Sequence, residues 1–226
     1  NFEDYINFKL KNNNLYFNSS YKHFFDKEWT LTTGGSISLD KNNIGLLENT
    51  IDNRETGSHL KAKIGKSFSN RFQLNFGTEY FITDYEETFS TPDGTDFDSS
   101  YTDNLFGAFS EADIFFSNTF AMKVGARLEG SSVMNRFTVS PRASLAYKSG
   151  EKGQFSLAYG DFYQNPLSEV LRYDQNLESE KTSHYILNYQ YLDNGKTFRA
   201  EAYYKNYDNL VKFNTEMPQF DSDYNN

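Results

Sequence analysis

The chain of 226 residues has no cysteine, four prolines and one tryptophan. Without cysteine there is no disulfide framework and no thiolate metal site. Positive charge is also scarce: 22 Lys and Arg stand against 31 Asp and Glu, a net charge of -9. Nucleic acid is therefore not an expected partner, because phosphate binding needs basic patches. No run of 18 apolar residues occurs, and mean hydropathy is -0.74. A set of membrane helices is excluded. A membrane-spanning barrel is not, because only every second strand residue must be apolar. Helical periodicity is missing as well.

What the chain has in excess is aromatic side chains, with 22 Phe and 17 Tyr. Its clearest pattern runs from Asn118 to Glu129. Phe120, Met122, Val124, Ala126 and Leu128 alternate with Ala121, Lys123, Gly125, Arg127 and Glu129. Only a strand sorts neighbouring residues onto opposite faces in this way. In a sandwich the apolar face meets a core; in an outer-membrane barrel it meets lipid, and the polar face lines a lumen.

Strand-like segments fall near 2–10, 14–25, 29–40, 57–68, 71–86, 101–117, 119–130, 136–148, 153–163, 182–192 and 196–208. That makes about eleven strands, many longer than the usual roughly 5–6 residues and long enough to cross a bilayer at a tilt. The fold expected is all-β: an antiparallel transmembrane barrel segment, an incomplete part of a larger barrel. Short links at 26–28, 69–70, 117–119, 149–152 and 192–196 alternate with longer ones at 41–56, 87–100 and 164–181; 11–14 and 131–135 are shorter exceptions. Short turns at one end and long loops at the other fit periplasmic and extracellular ends. Phe25 and Trp29, Phe68 and Phe72, Phe116 and Phe120, and Tyr191 and Phe198 flank the short turns. This repetition predicts an aromatic girdle at the periplasmic interface. An odd strand count would leave the N-terminus on the short-turn side and the C-terminus on the long-loop side, with two bare edges that lipid does not tolerate. The chain opens on Asn1 and closes on a polar stretch, Asp221 to Asn226. It is expected to be one barrel piece, 1–226, of something longer.

Residues 105–129, LFGAFSEADIFFSNTFAMKVGARLE, resemble the central hairpin of TonB-dependent outer-membrane receptors of the Bacteroidetes type. Residues 140–164, SPRASLAYKSGEKGQFSLAYGDFYQ, followed by Asn165-Pro166, are similar to the same family. So are 177–189, LESEKTSHYILNY, and 197–211, TFRAEAYYKNYDNLV. The resemblance is strongest over 100–211. It implies a barrel of roughly 22 strands with a plugged lumen, located in the bacterial outer membrane. It implies uptake of a scarce or bulky ligand such as a siderophore, cobalamin or a glycan, with energy delivered through TonB pulling on the plug. No plug and no TonB-contacting segment is recognisable here. The partners implied are the bilayer and lipopolysaccharide, the plug, TonB through that plug, and barrel-assembly machinery or a surface lipoprotein. A barrel without cargo, caught in assembly or held in a larger complex, is the alternative. A secreted all-β adhesin is a third possibility.

No catalytic constellation stands out, so no enzyme activity and no cofactor is expected. His23, His59 and His184 lie on separate segments without a matching acid or nucleophile. Asp93 to Asp98 is dense in carboxylates, but its order is not that of a calcium loop. The inward charges are the candidate site: Glu111, Asp113, Lys123, Arg127, Glu129, Arg142, Arg199 and Glu201. They either hold a plug through polar contacts or pair with one another to keep the wall satisfied. Tyr163, Gln164 and Asn165 open the 164–181 link and are candidates for ligand contact, although the simpler reading is that Asn165-Pro166 just breaks the strand.

Overall fold

The computed structural model describes residues 8–215 and 223–226. Ten strands form one antiparallel sheet in strict sequence order. They are β1 (Phe8–Phe24), β2 (Trp29–Leu46), β3 (Asn49–Ser69), β4 (Phe72–Ser90), β5 (Asp96–Phe115), β6 (Phe120–Ser131), β7 (Arg136–Ser149), β8 (Gly153–Gln164), β9 (Glu180–Asp193) and β10 (Lys196–Asp208). One short helix, α1 (Ser168–Leu171), lies between β8 and β9. A two-residue pair, β11 (Lys212–Phe213) and β12 (Tyr224–Asn225), follows. β1 and β10 are the two edges of the sheet and do not pair with each other.

Three expectations change. The segments near 2–10 and 14–25 are one strand from Phe8 onward, and residues 2–7 lie outside the described residues. Asn12 donates to Asn42 at 2.6 Å, and this side-chain ladder carries β1 through its asparagine run. The main sheet thus has ten strands. Both edge strands meet the long-loop end: Phe8 lies opposite Leu46, and Asp208 opposite Lys181. The 41–56 link is not a loop either. β2 and β3 continue to a two-residue turn at 47–48, where Leu47 takes a φ of 58°. The 87–100 link shrinks likewise to residues 91–95.

The five short turns stand where expected, at 25–28, 70–71, 116–119, 150–152 and 194–195. Asn194 and Gly195 both take positive φ, 45° and 79°, which is the backbone a two-residue primed turn demands. Cross-strand register keeps the apolar positions on one face across all ten strands. Leu31 faces Ile64, Ile64 faces Phe76, Leu128 faces Val139, and Leu157 faces Leu187. Those side chains are not buried: Leu60, Leu128 and Leu157 are each more than half exposed, and Val139 is 54% exposed. Among the described residues the buried apolar side chains are Tyr85, Met134, Leu171 and Leu177. Among the described residues no second layer covers the apolar face, so they form no sandwich core there.

The apolar band ends sharply. On β2 it runs from Trp29 to Leu39, and on β4 from Phe72 to Ile82. Ten residues at about 3.3 Å, tilted by about 40°, span about 25 Å, the height of a barrel's lipid band. Rings gather at the short-turn end. Phe68 lies 5.4 Å from Phe72 and Phe116 5.3 Å from Phe120, while Lys66 sits 4.8 Å over both Trp29 and Phe68.

Candidate functional site

The concave face carries the polar side chains, and the structure groups most of the expected residues there. Lys123 on β6 reaches Glu111 at 2.8 Å and Asp113 at 3.0 Å, both on β5. Four residues along, Arg127 pairs with Glu129 at 2.8 Å and with Glu79 on β4. β5 lies between β6 and β4, and the crossing needs Gly107, where a Cβ would sit 2.7 Å from the Arg127 Nη2. Glu79 also has Lys61 at 3.7 Å and the His59 Nε2 at 3.9 Å. His59 stacks flat on Phe81 at 3.9 Å, and its Nε2 is buried without a hydrogen bond.

Arg142 is not part of this network. Its guanidinium lies over Phe162, 4.6 Å from the ring centroid, and Phe162 in turn packs on His184. Beside them is a shallow recess of about 210 Å³, floored by Gly125, Ser144, Ala158 and Gly160. Arg199 and Glu201 pair at 3.3 Å on β10, away from the rest, with Asn188 also donating to Glu201.

The largest surprise is the β8–β9 connection. Residues 165–179 fold inward and lie on the concave face of β3, β4 and β5. The Ser168 hydroxyl donates to Glu55 at 2.9 Å, Arg172 forms an ion pair with Glu87, and the Ser99 hydroxyl contacts the Arg172 carbonyl at 3.5 Å. Tyr85, stacked on Tyr101, donates to the same Glu87 at 2.7 Å. Leu171 and Leu177, both within the connection, are buried. Arg136 ties its far end to Glu178 at 3.0 Å. Among the link candidates, Asn165 donates to Asp103 at 3.0 Å, and the Ser131 hydroxyl and the Val133 amide donate to the same carboxylate. Gln164 is the last residue of β8. Tyr163 shares the outward face, with Lys181 5.8 Å from its ring.

The sequence alone gives Glu79 no role, and it does not single out Glu55, Glu87, Tyr85, Tyr101, Asp103, Ser168 or Arg172. Glu55 and Glu87 lay inside stretches read as links. The carboxylates of 93–98 separate: Asp93 accepts from Thr91 and from the Thr95 amide within the 91–95 turn, whereas Asp96 and Asp98 belong to β5. Among the described residues no group of three or more His, Asp and Glu could hold a metal ion.

Similarity to known proteins agrees with this geometry. No curated protein matches the sequence. Among solved structures, the ferripyoverdine receptor of the Pseudomonas aeruginosa outer membrane superposes with a TM-score of 0.74 at 12% identity, over 89% of this chain and 34% of that one. The alcaligin outer-membrane receptor FauA of Bordetella pertussis gives 0.67 at 12%, over 93% and 39%. The RagAB peptide transporter gives 0.68 at 11%, over 94% and 32%. The chain therefore spans little more than a third of the structures it matches. Identities this low carry the fold alone. The sequence itself matches the TonB-dependent receptor-like β-barrel family along residues 1–226, so the chain belongs to that family and is part of a barrel wall of the bacterial outer membrane.

Proposed function

We propose that this wall belongs to a receptor that takes up a scarce or bulky ligand across the outer membrane, powered through TonB and a plug seated in the lumen. The observation that carries the reading is the concave charge network. Arg127, Glu79, Glu129, Lys123, Glu111 and Asp113 line one stretch of wall. Such a surface suits a polar plug that slides or unfolds better than a permanent apolar packing would, since the exposed Lys123–Glu111 pair exchanges partners at little cost. Similar structures include a ferric citrate transporter and a ferric yersiniabactin uptake receptor, which favours a metal chelate among the candidate cargoes. The inward 165–179 connection, with Gln164 and Asn165 at its start, is the segment placed to meet a ligand on its way in. The long-strand end is extracellular on this reading.

Growth of a strain deleted for the full-length receptor tests this, with the candidate chelate as the only iron source. Loss of growth that is restored by the gene, but not in a strain lacking TonB, is expected. Uptake that continues without TonB overturns the reading in favour of a barrel without active transport. Orientation is checked separately: Glu48→Cys in the full-length receptor should react with an impermeant maleimide on intact cells, and Asn70→Cys should not.

A further inference from the structure

Above the lipid band the two faces of the tall flank exchange character. One inward rung crosses five strands and is apolar throughout. Leu10 lies opposite Ile44, Ile44 opposite Ile51, Ile51 opposite Phe89, and Phe89 opposite Phe97. The outward positions beside it include Lys9 and Lys11 on β1, Asp52 on β3, and Asp96 and Asp98 on β5. Within the band the sorting is the reverse, with Leu and Phe outward and charges inward. The rung lies five residues beyond Leu15 and Leu39, about 13 Å above the band on strands tilted by about 40°. Lipid tails do not reach that height, and the side chains are not packed into a core. Leu10 is 57% exposed and Phe97 58%, while Ile44, Ile51 and Phe89 are partly exposed. The rings of Phe89 and Phe97 lie 6.2 Å apart. A contiguous apolar strip open to water marks a place where something apolar binds. The two inward rungs beneath it are polar. The nearer holds Asn12, Asn42 and Glu87, and the next holds Asn14, Asp40 and Glu55. The inward 165–179 connection is tied to these two rungs through Glu55, Glu87 and Ser99. Asp40 accepts from Asn14 and Glu55 from Ser168. Neither carboxylate has a Lys or Arg partner among the described residues.

We propose that the strip formed by Leu10, Ile44, Ile51, Phe89 and Phe97 binds the hydrocarbon chain of an amphiphile whose cationic head sits over Asp40 and Glu55. Shape, charge and position select this ligand. Four inter-strand gaps of about 4.8 Å make the strip about 19 Å long, with polar groups directly below it. That outline suits an extended long alkyl chain. A stable protein partner needs a patch broad in both directions, about 800 Å² on each side. Two carboxylates without a cation attract a positive head and repel a negative one. The strip also stands directly above the rungs that hold the inward connection, so a chain lying on it delivers the head to that connection. The proposal rests on the extracellular orientation of the uptake reading, and it gives that receptor an apolar capture strip separate from the charge network around Arg127.

Isothermal titration calorimetry of the full-length receptor in amphipol tests this, with palmitoylcholine below its micelle concentration as the probe. Native receptor should bind palmitoylcholine at least tenfold more tightly than it binds butyrylcholine or palmitate. The combined variant Ile51→Thr, Phe89→Thr, Phe97→Thr should weaken binding at least tenfold. The combined variant Ile51→Val, Phe89→Leu, Phe97→Leu should stay within threefold, which separates lost apolar surface from lost folding. Asp40→Asn should weaken palmitoylcholine several-fold and leave dodecyl maltoside, an uncharged probe, within twofold. Equal binding by native receptor and the threonine variant overturns the proposal, and so does equal affinity for the short chain. Equal affinity for palmitate overturns the cationic head. Access is read on intact cells: Phe97→Cys should react with an impermeant maleimide, and more slowly when palmitoylcholine is present. If Glu48→Cys is labelled and Phe97→Cys is not, another part of the barrel or a protein partner covers the strip, and the proposal fails. If neither is labelled while the calorimetry holds, the extracellular orientation has failed and the chemistry of the strip has not.

Discussion

Arg127 is the side chain on which the concave network turns. It is 14% exposed and holds two carboxylates, Glu79 and Glu129, from strands on either side of Gly107. Removing it leaves Glu129 without its cation and Glu79 with Lys61 at 3.7 Å alone. Arg127→Ala should lower unfolding stability by about 1–3 kcal/mol, the usual penalty for orphaned polar groups, measured by urea titration of the folded receptor in micelles. Only part of this pair was legible in the sequence. The turn at 117–119 predicts that Lys123 meets Glu111 and Asp113, because residues equidistant from a tight turn oppose one another. Glu79 is two strands away, and nothing local announces that a guanidinium crosses over a glycine to reach it. Asp93 is a simpler case. The Thr91 hydroxyl and then the Thr95 amide donate to its carboxylate and hold it below the ordinary range. A lowered native value means that the charged form favours the folded turn. That contribution is present above the ordinary carboxylate range and fades as pH falls through the lowered value. Carboxyl carbon NMR should find Asp93 titrating at lower pH than it does in Thr91→Val.

At the level of elements, the period-2 alternation was enough to assign faces, and it failed on lengths. β2 and β3 run on through Asn42, Asn43, Asn49 and Asn53, residues of low strand preference. Their turn at Leu47-Glu48 lacks the Gly or Asn that usually marks positive φ. Above the lipid band no membrane selects for apolar residues, so the signal that traced the strands below vanishes although the ladder continues. Within the band the signal is strong, and it sets a cost. Val124 sits near mid-height of β6 and is 41% exposed. Val124→Arg should destabilise the barrel by about 2–4 kcal/mol if lipid covers it there, measured by reversible folding into vesicles; an effect under about 0.5 kcal/mol would mean water on that face. The β8–β9 connection was legible as a loop, whereas its inward course was not, because Arg172 and Glu87 are 85 positions apart in sequence. Arg172→Ala leaves the buried Glu87 without a cation, with the Tyr85 hydroxyl and the Asn53 amide still donating to it. The connection should then be cut by added protease several times faster than in native receptor, with the ten strands still intact.

For the whole molecule, the decisive contrast is between a convex face of exposed Leu, Phe and Tyr and a concave face of charges. A spin label at Leu128 or Leu157 should be quenched by a lipid-soluble relaxant, and one at Ser144 or Ser156 by a water-soluble one. The reverse assignment would mean that the sheet packs on protein. Family membership was legible because motif-like runs at 105–129 and 140–164 follow one another in order; the identity of the ligand was not, since it depends on which loops fold inward.

The strands of this arc are unequal. β3 has 21 residues and β8 has 12, yet their short turns share one end. Nine further residues raise the β3 flank by roughly 20 Å after tilt. The rim of this arc thus slants, with a parapet on the β3 side and a low sill on the β8 side. The inward connection starts from the sill and leans on the parapet. A bulky soluble probe should therefore meet the concave face of this arc more readily from the side of β8 than from that of β3.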